Sequence, residues 1–221
     1  MTTIPYRYQF IAEPITSLSG KLLGVELQTR LEKEGQQVLH PELTIAGWHT
    51  EAKRHYLYEQ LGLVAKQSDW IRARHVLISL PLHDAESAVL LSYDATLRGL
   101  LSSLPFVRLA LSENISDMHD ELQGIRNGIW LTGLGGSEAN VTGLMSQQFE
   151  AVTLNNTFFK DEVEKPTFPV LIKNLRRYCD KVVVRGVTER RCLSVLQEAD
   201  IWAVLGSFYR PVPLDKLNWL L

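Results

Sequence analysis

Tyr6-Arg-Tyr-Gln-Phe-Ile-Ala-Glu-Pro-Ile-Thr-Ser-Leu-Ser-Gly-Lys-Leu-Leu-Gly-Val-Glu-Leu-Gln28 contains two short apolar, β-rich runs, over residues 6–11 and 22–28. Only about ten residues separate them, and these include Pro14, Ser17, Ser19 and Gly20. A parallel pair needs a crossover of a dozen residues or more, so the spacing predicts an antiparallel hairpin. Six further runs follow, over residues 75–80, 106–111, 129–132, 151–154, 181–184 and 201–204, and the intervening gaps have room for helices. Helical patterns cover 50–67, 85–101, 115–126, 139–147, 169–179, 188–199 and a short tail from 214. Alternating strands and helices with right-handed crossovers close into a TIM-like (β/α)8 barrel whose first strand pair is antiparallel; a doubly wound open sheet is the alternative.

The chain has 221 residues and is 45% hydrophobic, enough for one sizeable core. No repeat, low-complexity tract or linker divides it, and residues 1–221 read as one domain. A formal charge of −2, with Lys and Arg scattered, provides no basic field for a nucleic-acid backbone. No stretch approaches the ~18 apolar residues of a membrane span, and no basic-then-apolar leader opens the sequence. A cytoplasmic location is therefore expected. Cys179 and Cys192 are the only cysteines and read as unpaired thiols in or near helices.

In a barrel of this kind functional groups collect at the C-terminal ends of the strands. The segment Ala12-Glu-Pro-Ile-Thr-Ser-Leu-Ser-Gly-Lys-Leu-Leu-Gly-Val-Glu-Leu-Gln-Thr-Arg30 resembles the opening of EAL domains, the cyclic-di-GMP phosphodiesterase family. The Pro-Ile pair, the Gly-x-Glu and the Arg four residues later stand at the family spacing. The resemblance continues in order to Leu205-Gly-Ser-Phe-Tyr-Arg-Pro-Val-Pro213, which is similar to the family's closing Gln-Gly-Tyr and Arg-Pro segment. It implies an EAL-type barrel and, for an intact member, two divalent metals that activate water against a phosphodiester.

The same resemblance implies that this site is vestigial. Glu26 and Arg30 match the signature Glu and a phosphate-contacting Arg. Ser79 stands where the family has a metal-binding Asn; Ala110 replaces the first Glu of Glu-Ile-Thr-Glu, and Glu113 keeps the second. Thr132 and Gly133 replace the metal-bridging Asp-Asp, while Thr153 and Asn155 replace the catalytic Lys and the Asp after it. Arg185 stands in place of a metal-bound Glu, and Leu205 in place of Gln. At an effective dielectric of about 20 a unit charge about 4 Å away interacts by roughly 4 kcal/mol, so exchanging Glu for Arg opposes a divalent ion strongly. Loss of proton-transfer groups alone removes about 10² to 10⁴ in rate.

Two readings of the surviving charges stand side by side. Glu26 pairs with Arg30 inside the barrel, or Arg30 and Arg185 together hold a phosphate without metal. His49 and His55 are six residues apart, on opposite sides of a helix, and read as ordinary histidines. Gly133-Leu-Gly-Gly136 lacks the Gly-Lys-Ser/Thr ending of a phosphate loop. Trp202, Phe208, Tyr209 and Trp219-Leu-Leu221 read as packing around the barrel end, an exposed partner patch being the alternative.

The resulting expectation is a protein that binds rather than catalyses, with no metal, no cofactor and no direct contact with nucleic acid. Within the family the chain resembles stand-alone degenerate regulators that repress flagellar genes by binding the FlhD subunit of the FlhDC activator, so FlhD is the expected partner. The alternatives are a cyclic-di-GMP receptor without hydrolysis and a residual phosphodiesterase.

Overall fold

Val107-Arg-Leu-Ala-Leu-Ser112 illustrates how this chain builds strands buried on both faces. Val107, Leu109 and Leu111 join the main core, while Ala110 turns the other way into a smaller, separate cluster. This alternation is the two-residue period of an extended chain, and strands covered on both sides read as near-continuous apolar runs. The computed structural model describes residues 6–122, 124–136, 149–187, 191–206 and 209–220.

The strands are β1 (Arg7–Thr16), β2 (Leu22–Lys33), β3 (Gln36–Gln37), β4 (Leu77–Leu82), β5 (Val107–Ser112), β6 (Ile129–Leu134), β7 (Phe149–Leu154), β8 (Cys179–Arg185), β9 (Ala203–Leu205) and β10 (Val212–Pro213). From β2 through β4 to β9 the neighbours, β3 aside, run parallel. β1 lies antiparallel to both β2 and β9 and closes the barrel, with Ile15 opposite both Gly24 and Leu205. The eight runs read from the sequence become these eight barrel strands, and the open-sheet alternative is excluded by the closure through β1. β3 and β10 are two-residue additions, β3 at the C-terminal end of β2 and β10 beside Ile11 and Ala12 in the middle of β1.

The helices are α1 (Pro41–Ala46), α2 (Thr50–Lys66), α3 (Ser68–Arg74), α4 (Ala85–Tyr93), α5 (Ala95–Ser102), α6 (His119–Leu122), α7 (Asn156–Glu162), α8 (Phe168–Leu175) and α9 (Cys192–Glu198). The single helix expected over 85–101 is two helices. Asp94 takes an extended conformation and its carboxylate accepts hydrogen bonds from the backbone N–H groups of Thr96 and Leu97, capping α5 at the cost of ending α4. The helix expected over 115–126 is a 3-10 segment, Glu113–Met118, leading into the short α6, and the tail Leu214–Leu220 is also 3-10. α8 stops at Leu175, which frees Cys179 to enter β8 opposite Phe149. The predicted helix over 139–147 and residues 188–190 of the next one lie outside the described residues, as do Phe208 and Leu221.

Two packing layers follow from the alternation. Between sheet and helices sit side chains such as Leu57, Leu61, Leu91, Leu109, Phe159 and Phe168. Inside the barrel, Trp130 is 1% exposed and shares its space with Ala110, Ala151 and Ala203, small residues that make room for one indole. Trp202 meets Trp130 edge-on, with ring centroids 6.0 Å apart. Trp219 and Tyr209 depart from the packing role expected of them: they are 63% and 44% exposed. Among the described residues no helix is long and apolar enough to cross a membrane.

Phe168 is fully buried, with Phe159 edge-on at 6.0 Å. Phe168→Ala is expected to cost about 3–5 kcal/mol and to lower Tm by roughly 10 °C in a circular-dichroism melt. A shift below about 2 °C would show that this site collapses around the cavity.

Candidate functional site

The parallel strands all end on one side of the barrel, and there a cleft of about 430 Å³ opens. Glu26 and Gln28 from β2, Glu42 from α1, His83 from the loop after β4, Asn155 after β7 and Arg185 at the end of β8 help to line it. The loop bearing His83 is held from outside. Buried Lys53 of α2 donates to Asp84 at 3.0 Å and to Glu86 at 2.7 Å, and Asp84 caps α4 through the Ser87 N–H at 2.9 Å.

At the floor of the cleft an arginine bridges two carboxylates. One Arg185 Nη donates to Glu13 at 3.0 Å and the other to Glu26. Gln28 Nε2 adds a hydrogen bond to Glu26 at 2.6 Å. The Glu26 side chain is 3% exposed, that of Glu13 19% and that of Arg185 32%. Burial works against the charge on Arg185, yet Glu26 and Glu13 together outweigh it and hold the guanidinium above its ordinary value. Burial raises the Glu13 carboxyl, against the pull of Arg185 and with help from neighbouring Glu26. The two tendencies oppose each other, and the double contact sets both carboxylates against the same fixed positive charge.

The residues singled out in the sequence divide between this floor and other duties. Ser79 lies opposite Glu26 in the β2–β4 ladder, fully buried, with no hydrogen-bond partner for its hydroxyl among the described residues. Ala110 belongs to the apolar interior, between Pro81 and Trp130 in register. Thr132 and Thr153 are paired across the β6–β7 ladder, Thr132 on the cleft wall and Thr153 buried. Gly133 has φ +82° at the point where the β6–β7 register shifts, so the glycine-rich stretch starts with a bulge that needs a left-handed residue. Asn155 caps α7, its Oδ1 accepting from the Thr157 and Phe158 N–H groups. Glu113 is half-buried at the head of the 3-10 segment after β5. His49 caps α2 through Nδ1, which accepts from the Ala52 N–H at 3.2 Å.

The pairing expected between Glu26 and Arg30 is not formed. Both residues point to the same face of β2, but four residues of extended chain separate them by roughly 13 Å. Arg30 is exposed beyond the barrel rim, and Glu26 takes Arg185 instead. The residue the sequence reading overlooked is Glu13. Like Glu26 it is an acid set in an apolar strand, and the hairpin register places the two directly opposite each other; that register was the available signal. Among the described residues no group of three or more His, Cys, Asp and Glu side chains is arranged to hold a metal ion.

No protein-family model and no curated protein sequence matches the chain. Solved structures do. The EAL-like domain protein YdiV superposes with a TM-score of 0.86 at 21% identity, covering 98% of this chain and 97% of that one. The EAL enzyme Bd1971, bound to cAMP and cyclic-di-GMP, gives 0.79 at 14% identity over 96% of this chain and 64% of its own. PaMucR phosphodiesterase in complex with c-di-GMP gives 0.70 at 18% identity over 97% and 94%. The fold is therefore of the EAL type and similar to that of YdiV.

Ala110→Glu would place a carboxylate in an apolar interior already filled by Trp130. A carboxylate so placed has its folded pKa raised above the ordinary value of about 4.3, so the folded state holds the proton longer than the unfolded one. The variant is expected to lose stability as pH rises through that folded pKa, with a larger Tm deficit at about pH 8 than at about pH 5. Equal deficits at both would mean that the new carboxylate reaches solvent or a cation.

Proposed function

We propose that the chain is a catalytically inactive EAL-like regulator that works in the cytoplasm by binding another protein. The observation that carries this reading is the guanidinium of Arg185 resting on Glu13 and Glu26. A pair of divalent ions needs several converging oxygen ligands free of other cations. Here the surviving acid of the signature is engaged by a fixed positive charge, Ala110 belongs to the apolar packing, and Asn155 is spent on a helix cap. These residues do not fit a pair of metal ions, and no hydrolytic step is derived for them. Glu26, Arg30, Ser79, Ala110, Glu113, Thr132, Gly133, Thr153 and Arg185 are on this reading remnants of a site.

The partner we propose is the FlhD subunit of FlhDC, whose attachment to flagellar promoters the chain would block. The proposal rests on the resemblance to the degenerate flagellar regulators of this family and is supported by the end-to-end likeness to YdiV. A metal-independent cyclic-di-GMP receptor is less well supported: the cleft guanidinium is shared by two carboxylates, leaving the triad with one net negative charge to face a dinucleotide's phosphates.

Purified protein mixed with FlhD is expected to co-elute with it on size exclusion, and to abolish the FlhDC shift of a flagellar promoter fragment. Separate elution together with an unchanged promoter shift removes the FlhD assignment. Incubation of the protein with cyclic-di-GMP and Mn²⁺ is expected to leave the dinucleotide intact; measurable linear product would overturn the assignment of inactivity.

A further inference from the structure

The antiparallel β1–β2 seam of the barrel places Glu13 of β1 directly opposite Glu26 of β2. Like charges directly across an antiparallel pair repel, and here both lie in a partly dehydrated barrel mouth. The charge that reconciles them comes from β8, which is a ladder neighbour of neither strand. β9 stands between β8 and β1, and just beyond its end Gly206 leaves the space Glu13 needs: a Cβ at Gly206 would collide with the Glu13 carboxylate. Three separate features, the opposed acids, the long reach of Arg185 and the bare Gly206, serve one contact.

We infer that Glu13 and Glu26 form a cation site whose resident cation is the chain's own Arg185 guanidinium, and that an uncharged residue at 185 opens this site to a free divalent cation. Two carboxylates held on adjacent strands offer the hard oxygen donors that Ca²⁺, Mg²⁺ and Mn²⁺ take. A guanidinium occupies the same place with two directed N–H donors and a charge that no physiological pH removes. It offsets one of the two carboxylate charges whatever the ionic composition of the surroundings. The inference concerns the floor of the cleft alone and stands or falls separately from the identity of the protein partner.

The test compares Tm for the wild-type chain, Arg185→Ala and Glu13→Gln/Arg185→Ala, each with and without MnCl2. The wild-type Tm is expected to be unmoved by the metal. Arg185→Ala is expected to fall by about 5–10 °C and to regain most of that loss in millimolar Mn²⁺, whereas the double variant gains nothing from the metal. Should the alanine variant not fold, Arg185→Gln makes the same comparison, with the paramagnetic signal of Mn²⁺ reporting bound ion in the variant and none in the wild type. Mn²⁺ binding by the wild-type chain, a folded position-185 variant indifferent to Mn²⁺, or an equal gain in the double variant would each overturn the inference.

Discussion

The contact of Arg185 with Glu13 and Glu26 joins β8 to β1 and β2, the strands that close the barrel. Breaking a buried ion pair by deleting one partner costs about 3–5 kcal/mol, because the remaining charge is left dehydrated. Arg185 is one-third exposed, so water recovers part of that, and about 2–3 kcal/mol is a fitting scale here. The importance of the triad lies less in that sum than in its position. It forms the floor of the cleft, sets the charge seen by anything entering it, and takes the oxygen atoms that a metal would need.

Around that floor, residues of the cleft wall and of the interior below it carry structural duties. The barrel interior below is filled by Trp130 against three alanines, an arrangement a carboxylate at 110 would disrupt. Asn155 satisfies two backbone N–H groups at the start of α7, and Gly133 supplies the left-handed residue of a bulge. Asn155 keeps its place on the cleft wall while serving the backbone of α7, and Ala110 is taken up by the apolar packing. Ser79 is the exception, a buried hydroxyl opposite Glu26 with no hydrogen-bond partner among the described residues.

Much of the architecture was legible in the sequence because strand period and gap length are local properties. Eight apolar runs and one gap too short for a crossover give the barrel and its antiparallel pair. Features that depend on competition between local options were not legible. Asp94 splits a helix because its carboxylate prefers to cap the next one, and β3 and β10 are too short to leave a periodic trace. At the site, sequence spacing joined Glu26 to Arg30, whereas extended geometry carries Arg30 past the rim. The true partner is 159 residues away, and Glu13 enters only once the hairpin register is known.

The place of β1 between β2 and β9 also bears on how the chain folds. The hairpin of β1 and β2 can form as soon as both have been synthesised, but the other edge of β1 waits for residues near 205, and the Glu13 to Arg185 contact spans 172 positions. Pairings so distant in sequence are slow to close, and an open strand edge invites pairing with other chains in the meantime. A charged side chain directed toward the future interior makes such an edge a poor template for association. Glu13 places such a charge on β1, beside the edge that β9 covers in the finished barrel.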